Sequence, residues 1–258
     1  MNSKQGSEWQ ASFQKNGFII LRNYLGREEL EVYGRCIEEA IALLEKESGL
    51  NAEGLVFHSN LFRLNNELAQ QLSVEKISGL IETVAQAPVW IRWDQQITKM
   101  PGGVEFPWHR DNAYNKLKAE HFQCWIPLSD MTPENGALWL LPGSHLWEES
   151  EHLKKENHWV ADLDDKDAIC LEAQPGDLVL FSSKLFHKTG INRTDGPRVA
   201  YVVEYMKQKD FDPGVEAPYL FIEGYLPKWI QKHPNRSRFW KPNKVVISGK
   251  DIGSRRKV

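Results

Sequence analysis

Two short stretches of this chain carry residue types able to bind a metal ion. One is Trp108-His109-Arg110-Asp111; the other is Leu180-Phe181-Ser182-Ser183-Lys184-Leu185-Phe186-His187. In an extended strand, residues i and i+2 point to the same side, so His109 and Asp111 can converge on one ion. With eight histidines and twelve aspartates in 258 residues, an H-x-D spacing arises by chance about 0.4 times. That pair alone therefore decides little, and a surface histidine near an aspartate is the default reading. His187 closes an apolar segment that follows Pro175-Gly176-Asp177; alone, it reads as a buried histidine satisfied by backbone. Together the three supply two imidazoles and one carboxylate. Such a set occupies one face of an octahedron and leaves three positions open, the arrangement used by iron(II) oxygenases.

Arg198 lies eleven residues after His187 and opens an apolar strand. Its planar guanidinium forms a two-pronged donor matched to a carboxylate. If His187 ends one strand and Arg198 starts its antiparallel neighbour, both side chains flank one pocket. Thr189, two residues past His187, adds a hydroxyl donor. Arg193 is a nearer cation, but its place inside the turn 190–196 favours a solvated side chain. Asn112 and Tyr114 directly follow the H-x-D motif and are candidate substrate-pocket residues, as is Trp93. Trp90 and Trp139 belong to the same aromatic set, for which core packing is the commoner role. His145 reads as structural, and His58, His121, His152, His158 and His233 lack metal-ligand spacing.

These residues need a scaffold. A strand is expected over 17–21 after a small helix, and Leu30, Tyr33, Ile37, Ile41 and Leu44 recur at helical spacing within 27–46, with Gly49 placed to stop that helix. A second helix is expected over 74–85, before Pro88. Val89–Lys99 is rich in aromatic and β-branched residues. Further strands are expected over 122–128, 137–141, 169–173, 177–181 and 199–205, separated by Gly/Pro turns. The pattern predicts a mainly β fold with flanking helices, a double-stranded β-helix of the jelly-roll or cupin-like kind. One domain is expected: a mostly helical part over 1–88, a jelly-roll core over 89–206, and a C-terminal extension over 207–258. From about residue 227 that extension holds ten Lys/Arg and one acid, Asp251. It reads as a solvated terminus or as attraction for an anion.

Composition narrows the class. A formal net charge of −3 gives no footprint for nucleic acid. Cys36, Cys124 and Cys170 are far apart and odd in number, which supports neither a disulfide framework nor a zinc ribbon. Residues 1–10 are polar, unlike a signal peptide, and no apolar run approaches the roughly 18 residues of a spanning helix. The expectation is a cytoplasmic protein acting on a small molecule, with its oligomeric state open.

The whole set of motifs resembles the phytanoyl-CoA dioxygenase family of iron(II)- and 2-oxoglutarate-dependent oxygenases. The resemblance spans roughly residues 13–205 and is carried by Asn16-Gly17-Phe18-Ile19-Ile20-Leu21, by Pro107-Trp108-His109-Arg110-Asp111-Asn112-Ala113-Tyr114, and by Asn135-Gly136-Ala137-Leu138-Trp139-Leu140-Leu141-Pro142-Gly143-Ser144-His145. It continues through Pro175-Gly176-Asp177 to His187 and Arg198. It implies His109, Asp111 and His187 as ligands of Fe(II), Arg198 as anchor of the cosubstrate 2-oxoglutarate, and Thr189, Trp125 and Gln95 as further cosubstrate contacts. Dioxygen would be the second cosubstrate. Family halogenases lack the acidic ligand, so Asp111 implies hydroxylation, with succinate and carbon dioxide released. Two other readings stay open: a zinc hydrolase, which would need a general base and leaves Arg198 without a task, and a non-enzymatic metal- or ligand-binding protein on the same fold.

Overall fold

Alternation of side chains along the strands gives this molecule one helix-covered face and one cavity-bearing face. The computed structural model describes residues 3–44, 50–114, 118–147, 153–155, 158–210, 246–247 and 250–251. The chain starts with helix α1 (Ser3–Asn16) and turns through Gly17 into β1 (Phe18–Leu21). Gly17 has φ +82°, and a Cβ there would lie 2.6 Å from His145 Nδ1, so only glycine fits. Then come α2 (Arg27–Ala42), β2 (Leu55–Ser59), α3 (Asn66–Ser73) and α4 (Glu75–Ala85). The core strands follow: β3 (Val89–Lys99), β4 (Phe106–His109), β5 (His121–Pro127), β6 (Leu138–Leu140), β7 (Leu153–Lys155), β8 (His158–Val160), β9 (Ile169–Leu171), β10 (Leu178–Ser182), β11 (His187–Thr189) and β12 (Arg198–Lys207).

Two antiparallel sheets form the jelly roll. The larger has the order β1-β10-β5-β12-β3-β2, the smaller β4-β11-β6-β9. On the larger sheet, Phe122, Cys124, Ile126, Leu178, Leu180, Tyr201, Val203 and Tyr205 join the apolar residues of α2, α3 and α4 in one buried cluster. The intervening residues Trp125, Val179, Phe181, Ala200 and Val202 turn the other way and pack with Leu138, Leu140 and Leu171 of the smaller sheet. This is the period-2 rule acting on a sheet buried on both faces. The buried phenols on the helix side are satisfied: Tyr205 donates to the Leu72 carbonyl at 2.8 Å and Tyr201 to Asp94 Oδ2 at 2.5 Å.

Several expectations shift. Helix α2 ends at Ala42; Lys46 and Gly49 lie outside the described residues. Helix α3 and strands β2, β7 and β8 were not anticipated. Helix α3 is only eight residues long and starts on an Asn65 cap that accepts from Leu68 N at 2.9 Å. Strand β2 lacks alternation, with a single buried residue, Leu55. The division at residue 88 is not a structural boundary, because β1 and β2 from the first part form the two edges of the larger sheet. Recruiting them covers backbone groups that β10 and β3 would otherwise expose. The basic tail lies almost wholly outside the described residues. Cys36, Cys124 and Cys170 are free thiols. Among the described residues, no helix is long and apolar enough to cross a membrane.

Candidate active site

The three metal-ligand candidates come together by cross-strand pairing and a turn. His187, first residue of β11, stands directly opposite His109, last residue of β4, and their rings are 4.1 Å apart. Asp111 does not continue the strand. It opens a short 3-10 turn, Asp111–Ala113, so its convergence with His109 comes from that turn rather than from strand alternation. Asp111 Oδ1 lies 3.8 Å from His109 Nε2 and 3.5 Å from His187 Nε2.

The tautomers follow from the backbone. His109 Nδ1 lies 2.8 Å from the Pro107 carbonyl and His187 Nδ1 lies 3.0 Å from the Leu185 carbonyl. A carbonyl only accepts, so both Nδ1 atoms carry a proton, and in that neutral tautomer each ring presents an Nε2 lone pair. Two lone pairs and a carboxylate oxygen thus face one another, all within 4.8 Å. Without a cation that arrangement is repulsive; with one it is a ligand set backed by the outer hydrogen bonds that orient metal-bound histidines. Burial pushes the Asp111 carboxyl up to about 6, against a hydrogen bond from Gln123 and the neighbouring His187, which pull it down.

Ser144 braces both ligand segments, a role the sequence reading did not assign. Its Oγ accepts from Phe186 N at 2.9 Å, and its carbonyl accepts from Arg110 Nη2 at 2.6 Å. Phe186 precedes His187 and Arg110 separates His109 from Asp111, so the Pro142-Gly143-Ser144-His145 turn sets their spacing. Gly143 takes φ +77° there. His145 is structural, as expected, with Nε2 3.2 Å from the Gln14 carbonyl.

The cluster opens into a cavity of about 370 Å³ between the sheets. Arg198 also lines it, but not as expected. His187 is in the smaller sheet and Arg198 in the larger, so they face each other across the cavity instead of flanking it side by side. Arg198 is fully buried, and Nε, Nη1 and Nη2 have no partner among the described residues. Its guanidinium lies 5.5 Å from the Trp125 ring centroid. Burial pulls its pKa down to about 10, still a cation at neutral pH. Leaving a buried charge unpaired is costly, so this site fits a bound carboxylate. The residues present therefore fit both groups: two imidazoles and a carboxylate for iron(II), an orphaned guanidinium for a dicarboxylate.

Thr189, Trp125, Gln95, Trp93 and Tyr114 line the same cavity. Thr189 Oγ1 accepts from Lys99 Nζ at 3.0 Å, which leaves the hydroxyl proton free to donate elsewhere. Lys99 is buried behind it, also bonded to the Gly190 carbonyl, and burial lowers its pKa to about 7. Gly136, at φ +84°, packs against this lysine; a Cβ there would lie 2.7 Å from Lys99 Cδ. Tyr114 stacks edge-on against His109 at 5.5 Å.

Asn112 is a correction. It is not among the lining residues, because its amide donates to the Ala119 carbonyl at 3.0 Å and spans the loop instead. Trp90 is buried away from the cavity and Trp139 does not line it. Arg193 is exposed in its turn. Arg92, Gln123 and Glu204 line the cavity without having been anticipated. Alternation could have found two of them: Gln123 is two residues before Trp125, and Glu204 six after Arg198.

Comparison with known proteins agrees with this geometry. A family model described as Phytanoyl-CoA dioxygenase (PhyH) matches residues 13–200, a span that contains His109, Asp111, His187 and Arg198. A probable phytanoyl-CoA dioxygenase of Caenorhabditis elegans is 33% identical over 234 residues, covering 77% of this chain and 74% of that protein. An ectoine dioxygenase of Nocardia farcinica is 27% identical over 225 residues, covering 74% of each. Among solved structures, the non-heme alpha ketoglutarate dependent epimerase SnoN from nogalamycin biosynthesis shares the fold with a TM-score of 0.70 at 18% identity, covering 80% of this chain and 84% of that one. EctD from S. alaskensis with 2-oxoglutarate and 5-hydroxyectoine does so with a TM-score of 0.62 at 18% identity, over 81% and 77%. The chain belongs to the phytanoyl-CoA dioxygenase family of iron(II)- and 2-oxoglutarate-dependent dioxygenases.

Proposed function

We propose that His109, Asp111 and His187 hold the iron(II), that Arg198 holds the distal carboxylate of 2-oxoglutarate, and that the enzyme hydroxylates a small molecule with release of succinate and carbon dioxide. One observation carries this assignment: a fully buried guanidinium without a partner opens onto the same cavity as the His-Asp-His cluster. Iron, 2-oxoglutarate and dioxygen together supply the oxidising power for an unactivated C–H bond. The protein's contribution is positional. Arg198 offers two charge-assisted hydrogen bonds to a carboxylate, and Thr189 adds its hydroxyl proton beside it. Trp125 and Gln95 line the same cavity from the Arg198 sheet, and both face Val202 across the ladder. Phe181 and Phe106, whose rings lie 5.0 Å and 4.7 Å from those of His187 and His109, keep bulk water from the cluster.

The test is anaerobic reconstitution. Iron(II) and 2-oxoglutarate added together should give a weak visible charge-transfer band, and admitting air should yield succinate. A folded protein that binds iron but gives neither band nor succinate refutes the assignment. A zinc hydrolase or a pure binding protein would give that negative result.

A further inference from the structure

Beyond the metal cluster the cavity wall changes character, and the change traces to one extra residue in β3. The β12–β3 register runs residue for residue from Arg198↔Lys99 to Glu204↔Trp93, after which Tyr205 faces Ile91. Arg92 is the extra residue of a β-bulge. Strict alternation would turn it toward the helices together with Asp94; the bulge re-aims it into the cavity beside Trp93. There Arg92 Nη1 pairs with Glu204 Oε2. His121 Nδ1 lies 3.9 Å from the same oxygen. Glu204 is directly opposite Gln123 on β5, and the Gln123 amide bonds Asp111. The pair therefore stands one residue from the metal cluster. It is also six residues along β12 from Arg198, about 20 Å at strand spacing.

Stability does not explain this pair. Both side chains are largely buried, at 8% and 13% exposure, and a buried ion pair loses to desolvation about as much as it gains. Arg92 Nε is buried without a partner among the described residues. Charged groups placed so in a cavity wall must meet whatever fills the cavity. We infer that Arg92 and Glu204 select the substrate, and that the substrate is a neutral molecule presenting a hydroxyl or amide group to them. The inference rests on the reading of the cavity as an iron and 2-oxoglutarate site.

The chemistry excludes the other classes. The pair is internally neutral, so it offers little net attraction to an ion. A carboxylate drawn to the open Nε edge of Arg92 also meets the Glu204 charge, and an ammonium drawn to Glu204 also meets that of Arg92, so neither gains net attraction from the pair. An apolar chain strips water from both groups and returns no hydrogen bond. A hydroxyl or amide donates to Glu204, accepts from Arg92 and leaves the pair intact. Trp93 and Tyr114 on the same wall supply flat apolar surface for a compact, ring-like body.

The experiment uses the full chain loaded with zinc(II), as a redox-inert stand-in for iron, and with 2-oxoglutarate. Ligand-observed NMR titrations compare cyclohexane-1,2-diol, cyclohexanecarboxylate, cyclohexylammonium and toluene. The diol should bind about 10- to 100-fold more tightly than the other three, the range set by hydrogen bonds to charged groups. Glu204→Gln should shift the preference toward the carboxylate, Arg92→Gln toward the ammonium, and the double Arg92→Leu/Glu204→Leu toward toluene. Melting curves check that each variant folds. The inference is overturned if no probe binds, if an ion or toluene binds wild type as tightly as the diol, or if the substitutions leave the order unchanged. Binding of 2-oxoglutarate, measured in the same samples, separates the two levels. Its failure with wild type removes the underlying reading, whereas its success with the wrong probe order removes only the substrate class.

Discussion

The two ends of the cavity each hold a buried arginine on the same sheet, and they treat it differently. At one end Arg198 has three guanidinium nitrogens without a partner and a buried lysine, Lys99, opposite it across the ladder. At the other end Arg92 is already paired with Glu204. An unpaired buried cation is a standing cost that a bound anion relieves. A paired one is close to electrically silent and discriminates by hydrogen bonding. In the proposed assignment one residue type serves as anchor for a charged cosubstrate and as selector for an uncharged substrate, according to what the neighbouring strand places beside it.

Removing the His-Asp-His cluster should have the largest effect. His109→Ala or His187→Ala is expected to abolish iron binding and turnover while the melting temperature stays near that of wild type, since both rings sit at the cavity wall. Retained turnover in both variants would sink the ligand assignment. The comparison itself is tested next. Arg198→Ala should weaken 2-oxoglutarate about 10- to 100-fold, the loss of a hydrogen bond to a charged group, with iron affinity little changed. Arg92→Gln and Arg193→Ala should do much less. If either weakens 2-oxoglutarate more than Arg198→Ala does, the anchor is at the wrong end.

A smaller effect is expected at Thr189. Thr189→Val removes one hydroxyl donor near the anchor and one acceptor from Lys99, for a loss on the order of 1 kcal/mol, about fivefold in 2-oxoglutarate affinity. Thr189→Ser should restore it. A loss in Thr189→Ser with none in Thr189→Val would mean that the methyl group, not the hydroxyl, is what matters.

The smallest effect concerns a third buried charge, on the opposite face of β3. Asp94 accepts from Phe62 N at 3.0 Å and from the Tyr201 hydroxyl, and burial pushes its carboxyl up to about 7. In the unfolded chain it titrates near pH 4. Between those values the folded state binds the extra proton, so the stability this group contributes is full below about pH 4 and is lost as pH rises through about 7. Asp94→Asn, which imitates the protonated form, should flatten the decline in urea midpoint from pH 5 to pH 8. An unchanged decline would show that other groups cause it.

Much of the site was legible in local pattern. His109, Asp111, His187 and Arg198 stand out because rare side chains end or begin apolar strands beside Gly/Pro turns, and Val89–Lys99 shows its strand character in its own composition. Thr189, Trp125, Gln95, Trp93 and Tyr114 do line the cavity. Asn112 was misplaced because adjacency to a ligand says nothing about which backbone carbonyl an amide will find, here that of Ala119.

By itself, then, the sequence determined the strand periodicity, the candidate ligand types and the family, because these are encoded over a few residues at a time. The tertiary structure decided that His187 and Arg198 belong to different sheets, that Ser144 braces both ligand segments, and that one extra residue turns Arg92 into the cavity to meet Glu204, 112 positions away. A β-bulge has no composition of its own here: V-W-I-R-W-D reads as uninterrupted strand. Its position is set by which residues of β12 pair with which residues of β3, and that choice is made by burying Tyr201, Val203 and Tyr205 against the helices, far from Arg92 in the chain.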